Sequence, residues 1–234
     1  NNYVPILTCA MGSMLENADP NRFYDVVVLN TNIGGSKQEL VKKHFSQYKN
    51  ARITFYNVWR MVKDYKLDTN NAHISVETYF RFLAQDILSA YDKVVYLDSD
   101  LVVNGNVAEL YDVRMGNNLI AATLDIDYLA NLNIRGGDRM KYSLDVLNLK
   151  NPYAYFQAGV MVFNTAELRR YHTVPEWLRI ATNPIFIYND QDILNSEGQG
   201  RVVYLPADWN VTHNIFGRAE KLYPMAPTSV FDDY

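Results

Sequence analysis

Residues 93–110, KVVYLDSDLVVNGNVAEL, constrain the possible folds more than any other stretch of this chain. The apolar run Val94–Leu97 is bounded by charge and breaks off at two carboxylates, Asp98 and Asp100, with Ser99 between them. A short apolar run without alternation predicts a parallel strand buried on both faces. In an extended segment residues two apart face the same side, so the two carboxylates converge with Cβ atoms roughly 6 to 7 Å apart. Open α/β sheets bind ligands just beyond the carboxyl ends of their strands. The pair therefore falls where one divalent cation could bridge it, although aspartates at strand ends also serve as turn formers and helix caps.

The flanking sequence fits an α/β chain. Val4, Leu7, Met11, Met14 and Leu15 recur at helical spacing, and that helix is expected to end near Asn17 to Pro20. Residues 24–30 read as a strand, and Ser36-Lys37-Gln38-Glu39 as a capping box opening a helix to about Tyr48. A second strand is expected at 52–58, completing a βαβ unit with a right-handed crossover. Ser75 is placed as the N-cap of a helix with Tyr79, Phe80, Leu83, Ile87 and Leu88 on its apolar face and Arg81 beside it. Further strands are expected at 119–124, ending in Asp125, at 155–164 and at 201–205. Residues 126–153 carry little pattern beyond a turn at Gly136-Gly137, a helix after Thr165 should be interrupted by Pro175, and Asp190 should cap another helix.

No linker or shift in composition divides the 234 residues, so residues 1–234 are read as one domain. With 48% hydrophobic residues but no run of the roughly 18 to 20 needed to cross a bilayer, a soluble globular protein is expected, without a transmembrane segment. The lone Cys9 forms no internal disulfide, and no secretory leader is recognisable, which points to the cytoplasm. A net charge of -4 argues against nucleic acid, whose phosphates call for clustered Lys and Arg. The chain has neither G-x-x-x-x-G-K-S/T nor G-x-G-x-x-G, so a phosphate-bearing ligand would need a cation at Asp98 and Asp100, and hard Mg²⁺ or Mn²⁺ suits carboxylate oxygens.

Four motifs in order, TYFRFLAQDIL, KVVYLDSDLVV, FQAGVMVFN and NDQDILN, resemble family 8 of the retaining glycosyltransferases, which includes bacterial lipopolysaccharide galactosyl- and glucosyltransferases and the glycogenins. The resemblance runs over essentially the whole chain. It implies a GT-A fold, an α/β Rossmann-like sandwich with a mostly parallel central sheet, in which the D-x-D holds Mn²⁺, or Mg²⁺, against the diphosphate of a UDP-sugar. It also implies transfer of a hexose to a hydroxyl acceptor such as a glycan, a lipopolysaccharide core or a glycoprotein. By the same resemblance Asp98 and Asp100 are the metal pair, with Asp98 and Ser99 also near the donor. Asn2 and Tyr3 match the end of a uracil-packing motif, Arg81 an arginine facing the donor, and Asp125 a carboxylate gripping the sugar. Asp190 and Gln191 match the pair nearest the anomeric carbon. Gln157 stands before Ala158 where the family usually has asparagine, so its amide reaches one methylene further. The family's first strand, expected before Asn2, and its C-terminal H-x-x-G-x-x-K-P-W segment are not in this sequence. None of His44, His73, His172 and His213 falls in that pattern. Peripheral membrane association would run through that tail.

Two other enzyme classes fit less well. A haloacid-dehalogenase-like D-x-D-x-V loop needs a later G-D-x-x-x-D, but Gly137-Asp138 is followed by Tyr142 where the second aspartate belongs. A glycoside hydrolase needs two carboxylates spanning a sugar and has no use for a metal-type D-x-D. The non-enzymatic alternative is a nucleotide-sugar-binding or scaffold fragment without activity.

Overall fold

The structure is a computed structural model that describes residues 2–70 and 75–212; His73 and His213 lie outside the described residues. Helix α1, Val4–Glu16, has Pro5 in its first turn, where a missing N–H costs nothing, and buries Met11, Met14 and Leu15. Strands β1, Tyr24–Asn30, and β2, Ala51–Asn57, pair in parallel with Tyr24 opposite Ala51 and α2, Gly35–Phe45, as their crossover. The capping box is not formed. Gly34 occupies the N-cap, and Gln38 donates to the carbonyl of Ile33 instead.

Helix α3, Trp59–Val62, precedes a 3₁₀ helix, Val76–Leu83, that runs into α4, Ala84–Ile87. Ser75 is the N-cap as expected, but it makes no capping hydrogen bond and the first eight residues are 3₁₀ rather than α. The chain continues through β3, Val94–Leu97; α5, Ala108–Asp112; β4, Ile120–Leu124; α6, Ile126–Ala130; and α7, Arg139–Asp145. A 3₁₀ turn at Pro152–Ala154 leads into β5, Phe156–Phe163, followed by α8, Thr165–Tyr171, and α9, Val174–Ala181. Pro175 opens α9 instead of breaking a helix, with Thr173 and Glu176 as a complete capping box. Helix α10, Asn189–Glu197, strand β6, Val202–Tyr204, and a 3₁₀ turn at Ala207–Trp209 close the described chain.

The larger sheet has the order β3-β5-β4-β6. Here one strand expectation is corrected: β3 is not a parallel strand buried on both faces. It lies at the sheet edge, is half-buried, and pairs antiparallel with β5, Val94 opposite Phe163. The strand buried almost throughout is β5, which also runs antiparallel to β4, while β4 and β6 are parallel. Pairing direction depends on where the chain re-enters the sheet, which an apolar run of four residues does not encode. On one side of this sheet Phe156, Met161 and Phe163 pack with Trp177, Ile193 and Leu194. The parallel pair β1 and β2 shares a separate core with α1, α2 and Val103 and Val107 from the chain after β3.

Candidate functional site

Strand β3 ends at Leu97, opposite Val160, so the first four residues of β5 run past it. Asp98 follows the last strand residue, and its backbone N–H still reaches the carbonyl of Gly159 at 2.8 Å. Side chains from distant parts of the chain meet the buried β5 backbone that β3 leaves unpaired. Arg81 donates to the carbonyl of Ala158, Gln191 Oε1 accepts from the N–H of Ala158 at 2.9 Å, and Asn195 makes two 2.8 Å bonds with the N–H and carbonyl of Phe156. These bonds fix α10 and the 3₁₀ helix against one short length of strand.

Arg81 is the centre of this arrangement. Its guanidinium is almost fully buried and forms ion pairs with Asp190 at 3.0 Å and Asp98 at 3.1 Å, with its carbon 4.4 Å from the centroid of the Tyr96 ring. Burial opposes its charge, but Asp190, Tyr96 and Asp98 outweigh that and raise its pKa. Both oxygens of Asp190 are engaged, one by Thr78 and the other by Arg81. Asp190 is the second residue of α10, not its N-cap; that position belongs to Tyr188. Burial pushes the Asp190 carboxyl up, with Arg81 and Thr78 pulling it back.

Gln191 bridges outward from the same turn, its Nε2 donating to Asp125 Oδ2 at 2.8 Å. Asp125 caps α6 by accepting from the N–H of Tyr128 at 2.9 Å, so its two oxygens serve different elements. Burial raises its pKa as well. Asp98 is the third carboxylate raised by burial. Arg81 and a 2.9 Å bond from Tyr96 oppose the rise, and the neighbouring charges of Asp190 and Asp100 add to it.

The sequence-derived residues are thus not all brought together. Arg81, Asp98, Ala158, Asp190, Gln191 and Asp125 form one connected network. Asp100 is exposed and Ser99 half-buried beside it. Gln157 turns its Oε1 back to the N–H of Gly159 at 2.6 Å and to Asn210. Asn2 and Tyr3 are exposed at the start of α1 and form no hydrogen bond with the network.

Among the described residues no group of three His, Cys, Asp or Glu side chains is arranged to hold a metal. Asp98 and Asp100 fit a hard divalent ion in kind, as two carboxylates whose mutual repulsion a cation would relieve, and they would supply two of its ligands.

Sequence reasoning passed over Thr78, Tyr96 and Asp192. Tyr96 could have been found, because it stands two residues before Asp98 and shares its side of the strand. Asp192 is fully buried and accepts from the hydroxyls of Tyr142 and Tyr155, each at 2.6 Å, and from the N–H of Tyr188 at 2.7 Å. Two of those partners lie in or beside the poorly patterned 126–153 stretch.

Residues 1–229 match the family model described as glycosyl transferase family 8. The chain belongs to that family. A relative, glycosyltransferase GlyF of Streptococcus pneumoniae serotype 4, is 24% identical over 81% of this chain and 40% of its own length. Lipopolysaccharide 1,2-glucosyltransferase of Escherichia coli is 24% identical over 94% of this chain and 62% of its own. The chain therefore spans roughly two fifths to three fifths of these curated relatives. The solved structure of galactosyltransferase LgtC, in complex with donor and acceptor sugar analogs, superposes with a TM-score of 0.70 at 28% identity, covering 88% of this chain and 70% of that one. The GT-A α/β architecture expected from the resemblance is thereby shown. No helix among the described residues is long and apolar enough to cross a membrane.

Proposed function

We propose that this family 8 member is a retaining hexosyltransferase that moves a sugar from a UDP-sugar to a hydroxyl of a glycan, lipopolysaccharide core or glycoprotein acceptor. The observation that carries the reading is Arg81, buried and bonded at once to Asp98 after β3, Ala158 of β5 and Asp190 of α10. Three of the four family motifs supply its partners, and Arg81 itself belongs to the fourth. Asp98 and Asp100 would hold Mn²⁺ or Mg²⁺. That ion, when bound, supplies Lewis-acid stabilisation of negative charge on the departing diphosphate.

The chain's own residues orient the donor. Arg81 sets Asp98 and Asp190 relative to each other, while Asp125 and Ala158 lock the amide of Gln191 from both ends. With one Asp190 oxygen held by Thr78 and the other by Arg81, neither is free to attack carbon, and a neutral amide is a poor nucleophile. This supports attack by the acceptor from the face the diphosphate leaves, with Asp190 and Gln191 as positioning and charge-stabilising groups. A cytoplasmic setting goes with this reading, and the exposed, unpaired Cys9 is compatible with it.

The test is turnover of UDP-glucose, UDP-galactose and their N-acetyl forms with Mn²⁺ and with chelator. At least one donor should be consumed only with metal, and Asp98→Asn and Asp100→Asn should each abolish that turnover while leaving the circular dichroism spectrum intact. Near wild-type turnover in both variants would remove the metal assignment. No turnover of any donor would favour a binding or scaffold fragment.

A further inference from the structure

A cavity of about 280 Å³ lies beside this network and is not used by it, lined by Asn131, Ile134, Asp138, Arg139, Tyr142 and Tyr188 among others. Its position ties it to the reaction. Helix α6 is capped at its start by Asp125, the partner of Gln191, and at its end by Asn131 in the cavity wall. Five helical residues rise about 7.5 Å. On the other wall Tyr188 precedes Asp190 by one intervening residue and is fixed through its N–H to Asp192. The cavity is therefore a short step outward from the groups placed around the reacting carbon.

Its chemistry selects the ligand. The Arg139 guanidinium carbon lies 4.6 Å from the ring centroid of Tyr128 and 4.7 Å from that of Tyr188, which holds the group by cation–π attraction. Arg139 has no carboxylate at ion-pair distance among the described residues, and its side-chain donors are paired with none of them. Asp138 stands at the N-cap position of α7 yet makes no capping hydrogen bond, so its carboxylate is not consumed by the helix. An anion drawn to Arg139 would meet Asp138. A sugar hydroxyl both donates and accepts and can satisfy the two together, and Ile134 and the exposed Ile187 offer apolar surface to the C–H side of the ring. We propose that this cavity is an acceptor subsite for an uncharged sugar ring that does not itself react, a proposal that rests on the glycosyltransferase reading.

Saturation-transfer NMR titrations, with UDP and Mn²⁺ present, test it using methyl glucoside, methyl galactoside, maltose and lactose as neutral probes and glucuronate as the charged one. A neutral disaccharide should bind more tightly than its monosaccharide. Arg139→Gln and Asp138→Asn should each weaken it about fivefold or more, the loss of roughly one hydrogen bond. UDP affinity, measured by calorimetry on the same samples, should not change. Asp138 is exposed, so its variant reports even where removal of Arg139 disturbs folding. Unchanged disaccharide affinity in both variants, no binding of any neutral disaccharide, or tighter binding of glucuronate than of neutral sugars would overturn the proposal. Saccharide effects as expected in a protein that binds no UDP would sink the donor reading while upholding the cavity as a sugar site.

Discussion

Arg81 shows how much one residue can carry. Its guanidinium is the positive charge paired with Asp190, whose own side chain is almost wholly buried. Removing one partner of a buried pair strands the other, at about 3–5 kcal/mol. Arg81→Ala should therefore lower unfolding free energy by that order in urea titrations. Arg81→Lys should recover only part of it, because one ammonium cannot stand where Nε, Nη1 and Nη2 reach Asp190, Ala158 and Asp98. Gln191 makes the complementary case. It is half-buried and held by Asp125 and Ala158, so Gln191→Ala should reduce kcat by more than it raises KM for the donor. A change confined to KM would move Gln191 from the reacting centre to donor binding.

Helix α10 acts as a unit because its polar residues point to different neighbours. Asp190 meets the 3₁₀ helix, Gln191 reaches α6 and β5, Asn195 clips Phe156, and Asp192 gathers Tyr142, Tyr155 and the N–H of Tyr188. Asp192→Ala would leave the buried Tyr155 hydroxyl without an acceptor and take one from the half-buried Tyr142 hydroxyl and Tyr188 N–H, and with about 1–3 kcal/mol for the buried donor a loss of about 2 kcal/mol or more is expected. Burial raises the folded-state pKa of Asp192 above the ordinary 3.8, opposed by the two tyrosine hydroxyls, the Tyr188 N–H and, at longer range, Arg139. A carboxyl with a raised folded pKa favours the folded state below its unfolded pKa and loses that contribution as pH rises through the folded value. The stability of the wild type relative to Asp192→Asn should therefore grow on acidification from pH 7 toward pH 4, measured by thermal unfolding of both across that range. A gap that narrows toward acid would mean that the tyrosine hydrogen bonds outweigh burial.

At the scale of the whole molecule, the site depends on a brace behind it. Trp177 of α9 is buried, stacks on Phe82 with centroids 5.1 Å apart, and donates to Gln85 at 3.2 Å, while Gln85 in turn donates to the carbonyl of His172. Phe82 and Gln85 follow Arg81, one on the same 3₁₀ helix and one on α4, so α9 supports the site from behind the segment that presents Arg81. Trp177→Ala should destabilise by about 3–5 kcal/mol. Trp177→Phe should cost less while still losing the bond to Gln85. Once folded at low temperature, the Phe variant should keep the wild-type KM for donor, because the hydrogen bond Trp177 makes goes to Gln85, outside the network.

The positions of the strands, the carboxylates after β3 and the helix bearing Asp190 and Gln191 were legible from the residues, because apolar runs and 3.6-residue periodicity are local signals. The four motifs, read by resemblance, also named most of the network. Competition between nearby caps was not legible: Ser36 loses to Gly34, and Pro175 starts a helix because Thr173 and Glu176 close a box around it. Nor was the antiparallel pairing of β3 with β5, which depends on where the chain returns. The three short elements between 126 and 153 lacked pattern because their polar and aromatic residues answer to partners far along the chain, as Tyr142 does to Asp192. The contact of Thr78 with Asp190 spans 112 residues. The residues alone decided which groups were available for chemistry. Only the tertiary structure decided which of them share a buried charge, because that pairing is made by packing 3₁₀ helix, strand and α10 into one low-dielectric space.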